Sequence, residues 1–176
     1  MKKNNSIDNI NSYIQYTDVS PKMTREGLEL HCSKVLEYGF NAAMVAPCWA
    51  EYAVEILKGS SSHVASCFAF PDGNDSTPMK VACAKELIKV GVLDFDFTSN
   101  TSYLLSGMYD EFYADLRAVS EIAADNGAQT KVIIEFGLLT EKLRKIGAEL
   151  AVKAGINFLK QSSGYINGIP AVPEDI

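Results

Sequence analysis

The sequence predicts an α/β fold built on a parallel sheet. Short β-type runs alternate with longer helical patterns along the chain, the order expected of βα units. Gly39, Gly91, Gly127 and Gly155 each follow a helical pattern by a residue or so, where a left-handed cap is wanted. Parallel strands joined by helical crossovers imply a sheet covered on both faces.

The first β-type run is Tyr13 to Thr17 (YIQYT), followed by a helix over Thr24 to Tyr38. Thr24 reads as a simple N-cap, because Gly27 stands where a reciprocal capping box needs an acid or amide. Asn41 to Ala46 (NAAMVA) precedes a helix over Trp49 to Leu57, and His63 to Phe68 (HVASCF) precedes one over Pro78 to Lys89. Leu93 to Thr98 (LDFDFT) leads to Tyr109 to Asn126, and Lys131 to Phe136 (KVIIEF) to Thr140 to Ala154. Asn157 to Gln161 (NFLKQ) opens a sixth unit. Each helical stretch carries apolar residues at spacings of three and four, the mark of a helix buried on one side. Pro173-Glu174-Asp175 has the proline and acids of a further helix start.

Composition narrows the functional classes. The 176 residues suit a single domain over 1–176 with one sizeable core. Apolar residues at 47% and charged residues at 22% match the globular average, which excludes a disordered or fibrous chain. A net charge of −6, with no basic run beyond Lys2 and Lys3, repels a phosphate backbone and removes nucleic acid as a leading partner. No apolar stretch approaches the roughly 20 residues that span a bilayer, and the polar start MKKNNSIDNI lacks a signal-peptide core. The expectation is a cytoplasmic protein with no membrane partner. Cys32, Cys48, Cys67 and Cys83 contain no close pair, and only His31 and His63 accompany them, so reduced, buried thiols are expected and a metal site is not.

Two architectures accommodate such units. A doubly wound open sheet fits the length better, since a (β/α)8 barrel averages about 250 residues. The β-type runs recur about every 29 residues, so eight units would need about 230. Local chemistry favours the barrel. A nucleotide-binding open sheet places a glycine-rich loop after its first strand, and Tyr16-Thr17-Asp18-Val19-Ser20-Pro21 contains no glycine.

Candidate chemistry lies in the last three strands. In the fourth, Asp94, Asp96 and Thr98 share one face while Leu93, Phe95 and Phe97 share the other. Two carboxylates on a covered face must meet cations, donors or water; the alternative is an edge strand with a solvated face. In the fifth, Lys131, Ile133 and Glu135 share a face, and Lys131 supplies a cation for Asp96, in a site or as a structural ion pair. Lys160 stands at the C-terminal end of the sixth strand, where α/β folds place active sites. Desolvation or a second cation frees such an amine to attack a carbonyl and form a Schiff base; the alternative is an ordinary surface lysine. His31 and His63 lack a triad and read as structural. Cys48 follows a strand and would reach such a site, although without a neighbouring base it reads as a small buried hydrophobe, and Trp49 reads as a packing residue.

Together these segments resemble the deoxyribose-phosphate aldolase family, class I aldolases of (β/α)8 fold. The resemblance covers almost the whole chain: Glu37-Tyr38-Gly39-Phe40, Leu57-Lys58-Gly59-Ser60, Phe70-Pro71, Asp94-Phe95-Asp96, Lys131-Val132-Ile133-Ile134-Glu135 and Phe158-Leu159-Lys160-Gln161-Ser162-Ser163-Gly164-Tyr165. The last two segments are the specific ones. The resemblance implies a TIM barrel of which about six βα units are present, ending after the sixth strand. It implies Lys160 as the Schiff-base lysine, Asp96 in proton relay and Lys131 in the same polar interior, with Thr17 and Ser163 contacting substrate. The implied reaction is reversible cleavage of 2-deoxy-D-ribose 5-phosphate, a small phosphorylated sugar, to glyceraldehyde 3-phosphate and acetaldehyde, with no cofactor.

Departures accompany the matches. Tyr16-Thr17 replaces an H-T or D-x-T pattern, Ala46 an asparagine, and Gln161-Ser162-Ser163-Gly164 the usual T-S-T-G, which keeps a hydroxyl at Ser163. Strands seven and eight, with a second active-site lysine and phosphate-binding loops, have no counterpart in the sequence. The expected consequence is an open barrel that cleaves substrate slowly by itself and self-associates through its edge strands. The alternatives are another sugar-phosphate aldolase of the same barrel class, which would also form an imine, and a non-catalytic α/β binding protein, which would not.

Overall fold

Six strands pair in the order in which they occur in the chain, all parallel. The computed structural model describes residues 9–166, so Lys2, Lys3 and the Pro173-Glu174-Asp175 helix start lie outside the described residues. The strands are β1 (Gln15–Asp18), β2 (Ala42–Val45), β3 (His63–Phe68), β4 (Asp94–Thr98), β5 (Gln129–Ile133) and β6 (Phe158–Lys160). Between them run α1 (Arg25–Tyr38), α2 (Ala50–Leu57), α3 (Thr77–Lys89), α4 (Thr101–Leu105), α5 (Tyr109–Asp125) and α6 (Glu141–Lys153).

Sequential order rules out the doubly wound sheet, in which the chain returns to the middle and winds outward the other way. Crossovers of one hand then put every helix on the same face and leave the other face to curl inward. The curl is visible in the contacts: Lys131 of β5 donates to Gln15 of β1 at 2.5 Å, and Gln15 donates to Asp94 of β4, although these strands are not neighbours in the sheet. This is the (β/α)8 type of winding, with six of its strands described.

Alternation along the strands separates two environments. The helix-facing side carries Val45, Phe68, Phe95, Phe97 and Val132, which pack with Leu28, Val35, Leu87 and Leu116 in the main core. Phe68 and Phe97 stack with centroids 5.5 Å apart. The inward side is apolar on β2 and β3, where Ala42, Met44, Ala65 and Cys67 form a second cluster. On β1, β4, β5 and β6 it carries the charged and polar side chains together with Ile133 and Phe158, and register aligns Asp96 with Lys131 and Ile133 with Lys160. All five residues of β4 are buried, and the strand lies between β3 and β5, so the alternative of a solvated edge strand fails.

Helix punctuation follows the sequence closely. Thr24 Oγ1 accepts from the Gly27 amide at 3.1 Å as a simple cap, and the four glycines read as helix ends all have positive φ. Boundaries shift where local chemistry changes. Tyr13 belongs to a 3-10 turn, Ile10–Tyr13, so β1 begins at Gln15. Trp49 ends another, Pro47–Trp49, before α2. β5 stops at Ile133 rather than Phe136, because Glu135 takes a left-handed conformation (φ 55) and Phe136–Leu138 turns into a 3-10 helix. Helix α4, five residues long, is too short to reveal a period in the sequence. Gly73 (φ 73) brings the β3–α3 loop against the β4–α4 loop: a Cβ there would lie 2.0 Å from the Ser99 carbonyl oxygen. The cysteine expectation holds for Cys32 and Cys67 but not for Cys48 and Cys83, which are exposed. Among the described residues, no helix is long and apolar enough to cross a membrane.

Candidate active site

A strand presents alternate side chains to one face, so Asp96 and Lys131, paired in register on neighbouring strands, must meet inside the curl. Lys131 Nζ lies 2.9 Å from Asp96 Oδ1, and Lys160 Nζ lies 3.1 Å from Asp96 Oδ2. One carboxylate therefore bridges two lysines, one on each oxygen. Its side chain is 5% exposed, against 20% for Lys131 and 40% for Lys160. Asp96 is thus the buried centre, with the Lys160 amine toward the more exposed end and the Lys131 amine toward the other.

Above Asp96 lies a pocket of about 180 Å³ whose lining includes Thr17, Met44, Cys67, Asp96, Lys160 and Ser163. Four of the five residues singled out in the sequence thus converge on one cavity. Lys131 does not line it; it sits one layer deeper, facing Gln15 and Asp94 in a second pocket at the other end of the sheet. The pocket mouth is flanked by Phe70, from the loop after β3, and Tyr165, from the loop after β6, whose rings meet edge to face at 5.1 Å.

The pocket is two-sided. Met44 of β2 and Cys67 of β3 form an apolar side, and Asp96 of β4 and Lys160 of β6 supply the charged one. Thr17 Oγ1 donates to the Gln15 carbonyl at 3.0 Å, and Ser163 Oγ accepts from the Tyr165 amide at 3.1 Å. Burial, reinforced by the negative charge of Asp96, pushes the Cys67 thiol up to about 11, which keeps it protonated and unreactive at neutral pH. A primary amine, a carboxylate within hydrogen-bonding distance of it and hydroxyls above them can together form an imine with an aldehyde and move a proton beside it.

Several participants were not evident from the sequence. Cys67, not Cys48, lines the cavity. His63, read as structural and outside any triad, has Nε2 3.4 Å from Asp94 Oδ2. Gln15 links Lys131 to Asp94, and the Glu135 carboxylate holds Ser162 and Ser163. The only available signal was the period of two that puts Gln15 and Thr17, or Lys131 and Glu135, on a common face; the partners come from the curl. His31 is structural, as expected, stacked on Tyr16 with centroids 4.6 Å apart.

No family model matches the chain. The deoxyribose-phosphate aldolase of Clostridium perfringens is 37% identical over 163 residues, which cover 93% of this chain and 72% of the relative. That of Thermococcus gammatolerans is 36% identical over 169 residues, covering 95% of this chain and 75% of the relative. A Coccidioides immitis crystal structure assigned to deoxyribose-phosphate aldolase matches with a TM-score of 0.90 and 32% identity, over 95% of this chain and 65% of that one. An aldolase called QR15 matches with a TM-score of 0.88 and 27% identity, over 97% of this chain and 74% of that one.

Proposed function

The chain belongs to the deoxyribose-phosphate aldolase family, and from that premise we propose that it is a lyase that reversibly cleaves 2-deoxy-D-ribose 5-phosphate through an imine on Lys160. The observation that carries the proposal is the contact of Lys160 Nζ with Asp96 Oδ2, at 3.1 Å, on the floor of a pocket open to solvent.

The Lys160 amine adds to the C1 aldehyde, and loss of water gives an iminium. Asp96 takes the proton of the C3 hydroxyl as the C2–C3 bond breaks, the bonding pair moving into an enamine with the iminium as electron sink. Glyceraldehyde 3-phosphate leaves; protonation of the enamine at C2 and hydrolysis of the resulting iminium release acetaldehyde and restore the amine. Lys131 holds Oδ1 of Asp96, so Oδ2 is the oxygen presented to Lys160. Thr17 and Ser163 are assigned to the substrate hydroxyls, since both line the pocket. The sheet edges β1 and β6 make pairing between chains part of the same reading.

Incubation with acetaldehyde and borohydride, followed by digestion and mass spectrometry, tests the proposal. The reduced adduct is expected on the Lys160 peptide; adducts confined to other lysines would reject it.

A further inference from the structure

We infer that Glu135 is a positioning residue for the chemistry proposed at Lys160, an inference that rests on that proposal. Its side chain is buried, with the residue only 1% exposed, and a carboxylate tolerates such burial only where hydrogen bonds replace water. Oε1 accepts from Ser162 Oγ at 2.8 Å and Oε2 from the Ser163 amide at 2.9 Å. Both partners lie just beyond Lys160 in the chain, on the turn that leads out of β6.

Side chains complete the rest of that turn. Ser162 Oγ accepts from the Gly164 amide at 3.0 Å, and Ser163 Oγ accepts from the Tyr165 amide at 3.1 Å. Since the Ser163 oxygen already accepts from Tyr165, its hydroxyl proton is left to donate into the pocket it lines. Tyr165 in turn holds Phe70 at the mouth. Glu135 therefore anchors the substrate-facing hydroxyl and one wall of the cavity together.

The backbone supports the same conclusion. Glu135 has φ 55 and ψ 62, a left-handed conformation that is unfavourable for residues other than glycine. It is locked on both sides, by Ile134 N to the Lys160 carbonyl at 3.1 Å and Phe136 N to the Gln161 carbonyl at 2.7 Å. Glycine would relieve the strain, but only a carboxylate offers an acceptor to each of the two donors. Glutamine would offer one and set its amide hydrogens against the other.

A loosened turn should impair recognition of a hydroxylated substrate and spare imine formation with a small aldehyde, because the Glu135 carboxylate accepts from Ser162 and Ser163 while the Lys160 amine is held by Asp96. Borohydride trapping on Lys160 with acetaldehyde and with 2-deoxyribose 5-phosphate separates the two. In Glu135→Gln, trapping by acetaldehyde is expected to stay within about threefold, while trapping by the sugar phosphate falls about tenfold, the lower range for one charge-assisted hydrogen bond. Glu135→Ala should fall further. An equal loss for both aldehydes, as a purely structural role predicts, or an unchanged ratio would overturn the inference. If the Glu135 variants fail to fold, Ser162→Ala removes one donor and leaves the carboxylate; a smaller drop in the same ratio is expected, and no drop overturns the inference. Absence of any Lys160 adduct in the unaltered chain would overturn the proposed function as well, whereas an adduct with an unchanged ratio would overturn this inference alone.

Discussion

Asp96→Asn is the most informative single change, because Asp96 is the counter-charge for two lysines at once. The substitution keeps the shape, removes a negative charge and turns one of two acceptor positions into a donor facing an ammonium group. Each charge-assisted hydrogen bond is worth about 1.5–3 kcal/mol. Lys160 and Lys131 are 40% and 20% exposed, so water replaces part of what is lost. The net destabilisation should be about 2–4 kcal/mol. That is less than the about 5–15 kcal/mol typical of a folded domain, so the variant should still fold. Turnover should suffer more: a positioned proton carrier contributes about 10²–10⁴-fold, which is about 3–5 kcal/mol of barrier.

The two effects are measured separately. Urea denaturation followed by circular dichroism gives stability, and a coupled assay for glyceraldehyde 3-phosphate gives turnover of the folded fraction. Unchanged turnover, or turnover that falls only in proportion to the folded fraction, would return Asp96 to a structural ion pair. Lys131→Met provides the comparison, since it frees Oδ1 but leaves Oδ2 on Lys160. Its turnover loss should be smaller, and the double variant should lose less than the sum of the two.

Two other predictions concern stability. Lys80 Nζ lies 2.6 Å from Asp115 Oδ2 between α3 and α5, with side chains 0% and 1% exposed, and Thr77 Oγ1 donates to Oδ1 at 2.7 Å. Asp115→Ala should destabilise by about 3–5 kcal/mol by leaving a buried ammonium unpaired. Lys80→Met with Asp115→Leu should recover most of that in urea melts, and a double variant as unstable as the single would refute the pairing argument. Burial holds His31 below the ordinary imidazole value. The unfolded chain therefore binds this proton first as pH falls, and stability is lost progressively below about 6.5 until His31 itself protonates. His31→Phe, which keeps an aromatic ring against Tyr16, should flatten the decline in melting temperature between about pH 7 and 5; an unchanged slope would show that other groups govern it.

The fold was legible where a local rule was enough. Period two in Leu93 to Thr98 separates Phe95 and Phe97 from Asp94 and Asp96, and the structure sends the first pair into the helix-side core and the second inward. Glycines at helix ends and Thr24 at a helix start work through contacts within a few residues, so their positions also followed from the sequence. Legibility failed where geometry depends on a distant strand. Glu135 looks like one more residue of a β run until its carboxylate is seen to find Ser162 and Ser163, and those bonds hold a backbone conformation that propensity disfavours.

Gln15 shows why the rest of the site had to await the three-dimensional arrangement. Lys131 has only donors to offer, and Asp94, when ionised, only acceptors. A side chain between them must accept from one and donate to the other without carrying a charge that would repel either. An amide meets that condition in a single orientation: Gln15 Oε1 faces Lys131 Nζ at 2.5 Å, and Nε2 faces Asp94. A lysine at this position would repel Lys131, and a carboxylate would repel Asp94. None of this can be read from Tyr13 to Thr17, because the requirement exists only once β1, β4 and β5 have curled toward one another. The curl itself follows from the sequential winding of parallel strands, so the same topology that sends the apolar residues outward to the helices is what gathers Gln15, Asp94, Asp96, Lys131 and Lys160 into one polar interior.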